Sequence, residues 1–262
     1  MVDAVLRVLR CPRCFAHPPL CVDSGVVCRS CHQRYPLVSG ILDMSAGNAA
    51  EVITPFQRVM QNPIIATVYE RVWRRLGYRL ASFRSFDDEL ETIAKYCSGL
   101  GNGPVLDLAC GPGVFTRPLA RRSSGIVIGV DLSWPMLLRA QKRLSAERIG
   151  NSFFIRGSAF ALPFIDRTFS LINCCGALHL FDRPENALAE IDRVCSPGAH
   201  LTVQTTIRPK HSAGLAFALE RFIRFGFFEE GQLRACISAH NFDIRESERH
   251  RISFTFLARH IS

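Results

Sequence analysis

The feature that most constrains the fold is the alternation of short apolar runs with amphipathic segments over residues 101–262. Strands are expected at 104–109, 125–131, 152–156, 169–174, 200–206, 242–248 and 252–259, and helices at 111–122, 133–148, 184–194 and 229–240. Strands that alternate with helices favour a parallel sheet covered on both faces. The last two strands follow each other directly, which predicts an antiparallel hairpin at the sheet edge. This region is therefore expected to be a doubly wound, seven-stranded α/β domain.

Two further zones precede this domain. Residues 1–44 are rich in Cys and Pro, and residues 45–100 start with a weak linker at 45–50 and then turn helical. A chain of 262 residues, 48% of them apolar, is long enough to bury a core without disulfides. No apolar run approaches the roughly 18 residues of a membrane helix, and the N-terminus lacks the pattern of a signal peptide. A cytoplasmic protein without a membrane span is expected.

The first zone carries two C-x2-C pairs, Cys11 with Cys14 and Cys28 with Cys31, separated by 13 residues. Each pair makes a tight turn that aims two thiolates at one point, and two pairs supply the tetrahedral sulfur shell that zinc prefers. Because four sulfurs leave no open position, the zinc is expected to be structural. Cys21 and His32 are not expected to bind it. A redox pair, or iron in the same shell, is the alternative interpretation.

A glycine-rich turn, Val105-Leu-Asp-Leu-Ala-Cys-Gly-Pro-Gly113, links the first strand of the α/β domain to its first helix. Asp131 ends the second strand, 18 residues after Gly113. A turn of this kind lets a ligand approach the backbone closely, and an acid at the second strand's end accepts both ribose hydroxyls of a nucleoside. Thr116 stands where a dinucleotide-binding loop has its third glycine, and Asp107 is placed to accept from an amine. A cationic ligand with an amino-acid tail therefore fits better than a pyrophosphate.

These motifs resemble the class I S-adenosylmethionine-dependent methyltransferases, which have a Rossmann-like fold. The matching segments are Asp-Leu-Ala-Cys-Gly-Pro-Gly at 107–113, Gly-Val-Asp-Leu-Ser-Trp-Pro-Met-Leu at 129–137, Gly157–Asp166, Gly176–His179 and Glu190–Gly198. The subgroup most similar to them is the quinone-biosynthesis C-methyltransferases. Residues 1–44 resemble the small zinc-ribbon domain of the tRNA-methyltransferase activators. The whole arrangement, with Tyr69-Glu-Arg-Val-Trp73, is similar to zinc-domain-fused methyltransferases of bacteria and plastids.

The resemblance implies which residues bind S-adenosylmethionine: Asp107, Ala109, Cys110, Gly111, Gly113, Asp131, Leu132, Met136, Ser158, Ala159, Phe160, Cys174 and Tyr69. Ala109 replaces the first glycine of the family's loop, and Ser158 replaces the acid that usually contacts the adenine amine. His179 follows the fourth strand, where the acceptor meets the methyl group, and is the candidate general base. A packing histidine is the alternative.

A phenylalanine-rich run at 215–228 lies within a predicted helical lid at about 209–230. With a helix expected at 62–76 in the substrate-cap region, it suggests an apolar acceptor chamber; a packed pair of core helices is equally compatible with the pattern.

The function these residues favour is methyl transfer to O or C of an apolar small molecule of the quinone, polyketide or isoprenoid type. The formal net charge of +9 and the zinc module keep open a ribosomal-RNA base N-methyltransferase. A non-catalytic docking protein is the third hypothesis. A sulfonium methyl is already activated, so the protein mainly has to align donor and acceptor, which explains a clear cofactor motif without a compelling catalytic residue.

Overall fold

The computed structural model describes residues 2–46, 58–59, 61–63, 65, 74–97, 103–209, 221 and 225–261. The N-terminal region contains helix α1 (Val2–Leu6) and strands β1 (Leu20–Val22), β2 (Gly25–Val27), β3 (Arg34–Val38) and β4 (Ile41–Asp43). Two helices come next, α2 (Arg75–Ser82) and α3 (Phe86–Tyr96). Helix α3 starts at a capping box, in which the Ser85 hydroxyl accepts from the Asp88 backbone N–H and the Asp88 carboxylate accepts from the Ser85 N–H.

Strands and helices then alternate along the chain, as the pattern predicts. The elements are β5 (Val105–Leu108), α4 (Thr116–Arg122), β6 (Val127–Asp131), α5 (Trp134–Ala146), β7 (Ser152–Arg156), β8 (Phe169–Cys175), α6 (Pro184–Val194), β9 (Cys195–Thr206), α7 (Glu230–Ala239), β10 (Phe242–His250) and β11 (Ser253–His260). A single turn of 3-10 helix, Leu178–Leu180, follows β8.

Within the described residues, eleven strands form one sheet in the order β1-β2-β3-β4-β7-β6-β5-β8-β9-β11-β10. The strands from β4 through β9 in this order are parallel, and the pairs at both ends are antiparallel. The expected terminal hairpin is present, with β11 inserted between β9 and β10. The fold is the α/β, Rossmann-like class that the sequence predicts.

The sheet is longer than the seven strands expected from the sequence. Residues 101–262 supply seven strands, and the N-terminal region adds four more, because β4 pairs in parallel with β7 through Ile41–Phe154 and Leu42–Ile155. The open N–H and C=O groups of an edge strand favour such pairing. The N-terminal region is therefore a continuation of the central sheet.

Helices cover both faces of the sheet, as the doubly wound pattern requires. Val105 packs in a cluster with residues of α3 and α4, such as Ile93 and Leu119. Its neighbour Leu106 packs on the opposite face with residues of α6 and α7, such as Leu188. Successive side chains of a strand point to opposite faces, so a strand buried on both is apolar throughout.

Some boundaries differ from expectation. Helix α4 begins at Thr116 and not at Gly111, because Gly111 and Gly113 have positive φ angles of 54° and 73° that no right-handed helix contains. Strand β9 begins at Cys195, five residues before the expected start, and helix α5 spans Trp134–Ala146 instead of 133–148. Most of the predicted lid, residues 210–220 and 222–224, and most of the expected helix at 62–76 lie outside the described residues.

Candidate cofactor site

The glycine-rich turn and Asp131 lie side by side, at the carboxyl ends of β5 and β6. The Gly111 N–H donates to Asp131 Oδ2 at 2.8 Å, and the Ser133 N–H donates to Oδ1 at 2.8 Å. The Cys110 N–H donates to the Val130 carbonyl at 3.1 Å, which joins the turn to β6. Parallel strands end at the same edge of a sheet, which is why residues 20 positions apart in sequence meet here.

The Asp131 carboxylate keeps the capacity to bind a ligand. Each oxygen has two lone pairs, and Oδ2 accepts from the Gly111 N–H while Oδ1 accepts from the Ser133 N–H. The remaining lone pairs suit the two vicinal hydroxyls of a ribose. Burial raises the pKa of Asp131, and the backbone N–H groups of Ser133 and Gly111 oppose that rise by favouring the ionised form.

The turn leaves space above its backbone at one position. A Cβ added to Gly111 would meet no heavy atom within 4 Å, whereas one added to Gly113 would lie 3.2 Å from the Ala140 Cβ. Gly111 therefore faces open space, and Gly113 allows the turn to pack closely on α5. Ala109 has a φ of 54°, the left-handed region that favours glycine, at the position where the family's loop has its first glycine.

Asp107 is a buried acid in the middle of a polar network under the turn. The Thr116 hydroxyl donates to its Oδ2 at 2.5 Å, and the Asn173 amide donates to its Oδ1 at 2.7 Å. Burial raises the pKa of Asp107 to about 6, despite the opposing effect of these two hydrogen bonds. The contacts show that Asp107 braces β5, the helix start at Thr116 and β8. Its predicted contact with an amine stays a prediction.

Five more residues predicted to bind the cofactor follow β6 and β7, and three of them, Ser158, Ala159 and Phe160, are predicted to surround adenine. Ser158 and Ala159 are buried, and Phe160 is half-buried with its ring edge-on to Phe181 at 5.6 Å. The Ser158 hydroxyl accepts from the Phe160 N–H at 3.1 Å. Leu132 is half-buried and Met136 is buried on α5. The structure brings these residues to the same edge of the sheet as Asp131, and their contact with a cofactor stays a prediction.

The end of β8 carries Cys174 and, just beyond it, His179. Burial raises the pKa of Cys174 to about 12, so its thiol stays protonated at neutral pH. Burial and the charge of Arg74 lower the pKa of His179 to about 3. The His179 ring lies 4.8 Å from the Phe225 ring, and its Nδ1 lies 3.4 Å from the Thr205 hydroxyl. In these surroundings His179 is a neutral and weakly basic imidazole. Tyr69 lies outside the described residues.

A buried charged cluster beside β8 is absent from the sequence predictions. Arg74 donates through Nη2 to Glu89 Oε1 at 2.5 Å and to Gln204 Oε1 at 3.3 Å. Its guanidinium lies 5.6 Å from the Phe115 ring, and a Cβ at Gly176 would come within 2.4 Å of Nη1. Arg74 therefore lies beside Gln204 of β9, beside Phe115, which follows the turn, and beside Gly176, which follows β8.

Glu89 is fully buried on α3. Burial raises the pKa of Glu89 to about 7, although Arg74 favours the ionised carboxylate. Its Oε2 has no hydrogen-bond partner within the part of the chain that the structure describes. One sequence feature hints at its burial, because Glu89 shares the helix stripe of Phe86, Ile93 and Tyr96.

The N-terminal cysteines come together as expected. The sulfur atoms of Cys11, Cys14, Cys28 and Cys31 all lie within 4.8 Å of one another. The Cys11–Cys31 and Cys14–Cys28 distances are 3.7 Å and 3.4 Å. Tetrahedral zinc with Zn–S bonds of about 2.3 Å needs sulfurs about 3.8 Å apart, so the cluster is compatible with zinc. Cys21 and His32 are not part of it.

A tyrosine supports this cluster. The Tyr35 hydroxyl, almost fully buried, lies 3.1 Å from Cys11 Sγ and is placed to donate to a thiolate there. The Cys31 N–H donates to Cys28 Sγ at 3.5 Å. Such donors orient metal-binding sulfurs and favour their ionised form.

Comparison with known proteins gives a family for the central part of the chain. Residues 105–198 match the model of a methyltransferase domain family. The chain is 26% identical to an uncharacterised chloroplastic methyltransferase of Arabidopsis thaliana, over 77% of the chain and 62% of that protein. It is 40% identical to a demethylmenaquinone methyltransferase of Lactiplantibacillus plantarum, over 41% of the chain and 47% of that protein. The chain thus spans about half to three-fifths of these curated relatives.

The fold is also found among solved structures. The structure of an S-adenosylmethionine-dependent methyltransferase from Aquifex aeolicus superposes with a TM-score of 0.60 at 16% identity, over 76% of this chain and 99% of that one. None of the helices in the described residues is both long and apolar enough for a membrane crossing. Residues 105–198 thus match a methyltransferase domain, and the chain shares its α/β fold with the Aquifex aeolicus protein.

Proposed function

We propose that the whole chain is an S-adenosylmethionine-dependent methyltransferase acting on O or C of an apolar small molecule. The observation that carries the proposal is the Asp131 carboxylate held against the open backbone of Gly111. That pairing provides an acceptor for ribose hydroxyls next to a surface on which a nucleoside can lie. The methyltransferase-domain match over residues 105–198 supports the same conclusion.

The residues present fit S-adenosylmethionine. Asp131 and the Gly111 turn would hold the ribose, and the segment of Ser158 and Ala159, which follows β7, would lie against the adenine. When bound, this cofactor supplies an electrophilic methyl group on a sulfonium. The chain's own task is then to align the acceptor with that methyl and to exclude water, and orientation of this kind supplies about 7–11 kcal/mol.

An apolar acceptor is favoured by the aromatic side chains near β8. The Phe225 ring contacts His179 at 4.8 Å and the Phe227 ring at 5.4 Å. The relative from Lactiplantibacillus, whose name specifies demethylmenaquinone, is consistent with an apolar acceptor here. Because the pKa of His179 is lowered to about 3, we propose that His179 orients the acceptor more than it removes a proton.

We also propose that Cys11, Cys14, Cys28 and Cys31 hold a structural zinc ion. Four sulfurs fill a tetrahedral shell, so the metal would stabilise the N-terminal region without taking part in methyl transfer. The proposed compartment is the cytoplasm, although the relative from Arabidopsis is described as chloroplastic.

Cofactor binding is tested by calorimetry with S-adenosylhomocysteine on the purified full chain. We expect binding by the wild type, and a loss of at least about tenfold in Asp131→Ala, because hydrogen bonds to a charged group are worth about 1.5–3 kcal/mol. Asp243→Ala is the matched control, since Asp243 is an exposed acid on β10. Undiminished binding by Asp131→Ala contradicts the proposed site.

The acceptor class is tested with methyl-labelled S-adenosylmethionine, offered with either a small-metabolite extract or total RNA. We expect label in the organic-soluble metabolites and none in RNA. Label only in RNA would favour the ribosomal-RNA alternative, as would RNA binding that weakens steeply with salt. Label in neither, with S-adenosylhomocysteine bound, would favour a non-catalytic docking protein.

A further inference from the structure

Arg156 lies between the N-terminal region and the proposed ribose-binding acid. It is the last residue of β7, and its backbone is in register with Asp43 of β4 on one side and with Asp131 of β6 on the other. The Met44 N–H donates to the Arg156 carbonyl at 2.8 Å. Arg156 therefore lies in the row of the sheet that contains both Asp43 and Asp131.

The Arg156 side chain also connects the two sides. Nη1 donates to Asp43 Oδ2 at 3.1 Å, and Nε donates to the Leu132 carbonyl at 3.1 Å. Its guanidinium lies 5.9 Å from the Trp134 ring centre. The guanidinium thus supports the segment that follows Asp131 through two contacts, one with the Leu132 carbonyl and one with the ring of Trp134, the first residue of α5.

Asp43 is itself fixed by neighbouring groups. Its Oδ1 accepts from the Ser45 N–H at 3.1 Å and from the Ser45 hydroxyl at 2.6 Å, which leaves Oδ2 facing Arg156. Its strand β4 pairs with β3, and β3 carries Tyr35, which contacts the cysteine cluster. The position of Asp43 therefore depends on the N-terminal region being folded.

A displaced Leu132 carbonyl would shift the Asp131 carboxylate. Asp131 Oδ1 accepts from the Ser133 N–H at 2.8 Å, so the side chain of Asp131 and the 132–133 peptide form one tight turn. A ribose needs both carboxylate oxygens at fixed positions, and hydrogen bonds weaken steeply when their geometry degrades. Support behind Leu132 is therefore support for the ribose contact.

We propose that Arg156 and Asp43 are positioning residues for the cofactor's ribose, through which the N-terminal region completes the nucleoside site of the α/β domain. The inference rests on the proposed function, because it requires that Asp131 bind a ribose. Neither residue touches the ligand in this proposal. Arg156 acts through Leu132, and Asp43 acts through Arg156.

A second contact between the two regions offers a matched control. Arg10 donates through Nη1 to Asp166 Oδ1 at 3.3 Å and lies 3.9 Å from Glu190. These contacts of Arg10 also connect the N-terminal region to the α/β domain, next to the β-bridge between Leu9 and Phe164. Within the part of the chain that the structure describes, the Arg10 side chain contacts Asp166, Glu190 and Phe15 and not residues 131–134, so its loss is expected to weaken the attachment alone.

The test compares full-length wild type with Arg156→Gln, Asp43→Asn, their double variant and Arg10→Gln. Calorimetry measures the affinity for S-adenosylhomocysteine and for its 2′-deoxy analogue, and metal content and thermal midpoint are recorded for each protein. We expect Arg156→Gln and Asp43→Asn to weaken S-adenosylhomocysteine about three- to tenfold, the range for a partly exposed charged hydrogen bond. The double variant is expected to be no weaker than Arg156→Gln, because the two residues act in series.

The 2′-deoxy analogue lacks one of the hydroxyls that Asp131 is proposed to bind. It therefore distinguishes a misplaced Asp131 carboxylate from a general loss of protein stability. If Arg156 acts on the ribose contact, the preference for S-adenosylhomocysteine over the analogue shrinks in Arg156→Gln and is unchanged in Arg10→Gln. Equal weakening of both ligands, affinity within twofold of wild type, or the same loss in Arg10→Gln would overturn the proposal. If Arg156→Gln does not fold, Arg156→Lys takes its place, since a lysine cannot reach both partners at once. Failure of the wild type to bind S-adenosylhomocysteine would instead refute the proposed function.

Discussion

At the scale of single residues, Ala109 occupies a backbone conformation that suits glycine. Its φ of 54° lies in the left-handed region, where a Cβ is disfavoured. Ala109 lies within the glycine-rich turn, so the strain is at the carboxyl end of β5.

We expect Ala109→Gly to raise the free energy of unfolding by about 1 kcal/mol, because glycine removes that strain. Urea denaturation of the two proteins measures the difference. Ala235→Gly is the matched control, because Ala235 is exposed within α7 and its change should lower stability by about 1 kcal/mol. A loss of stability in Ala109→Gly would show that Ala109 is not strained.

Glu89 gives a pH dependence whose sign follows from its burial. The pKa of Glu89 is raised from 4.5 to about 7, so the folded chain binds its proton more tightly than the unfolded chain does. Stability from this group is therefore greatest below pH 4.5 and is lost as the pH rises towards 7.

Relative to Glu89→Gln, the wild type should lose about 3 kcal/mol of unfolding free energy between pH 4.5 and pH 8. Denaturation of both proteins at several pH values gives the difference directly. Asp87→Asn, at an exposed position on the same helix, is the matched control. A constant difference between wild type and Glu89→Gln would mean that Glu89 is ionised throughout.

At the scale of elements, three parallel strands are joined by one buried polar network. Asn173 of β8 donates to Asp107 of β5 at 2.7 Å and accepts from the Thr202 hydroxyl of β9 at 2.9 Å. Thr116 at the start of α4 completes the contacts of Asp107. This network fixes the edge of the sheet on which the glycine-rich turn rests.

Asn173→Ala is expected to lower the free energy of unfolding by about 2–4 kcal/mol, because it creates a cavity and removes a donor from a buried carboxyl group. Thr202→Val keeps the side-chain shape and removes only one hydroxyl, so a smaller loss of about 1 kcal/mol is expected. Thermal and urea denaturation measure both. Equal effects would show that the carboxyl group of Asp107 does not depend on Asn173.

At the scale of the whole molecule, the cysteine cluster and the α/β domain share one sheet. Because β4 pairs with β7 and the cluster contacts β3 through Tyr35, loss of a bound zinc should destabilise both regions. We expect one zinc per chain and, on chelation, a lower thermal midpoint for a single cooperative transition. Two separate transitions, with the second unchanged by chelation, would contradict that expectation.

Tyr35→Phe should release the metal more readily than wild type, since one donor to Cys11 is lost.

Much of the fold follows from local patterns. Apolar runs buried on both faces predicted β5 through β9, and the spacing of Cys11, Cys14, Cys28 and Cys31 predicted their cluster. Other features depend on partners distant in sequence. Arg74 and Gln204 are 130 positions apart, and no periodicity indicates that they meet. The eleven-stranded sheet likewise depends on the pairing of β4 with the free edge of β7, and these strands are more than 100 residues apart in sequence.

The sequence by itself determined the order of strands and helices over residues 101–262, the turn before Asp131 and the four-cysteine cluster, because each is a local pattern of polarity or backbone freedom. The tertiary structure decided that the N-terminal strands extend the central sheet, that Glu89 and His179 are buried with shifted pKa values, and that Arg156 joins Asp43 to Leu132. Burial and hydrogen-bond partners depend on which distant segments pack together, and that information is spread over the whole chain.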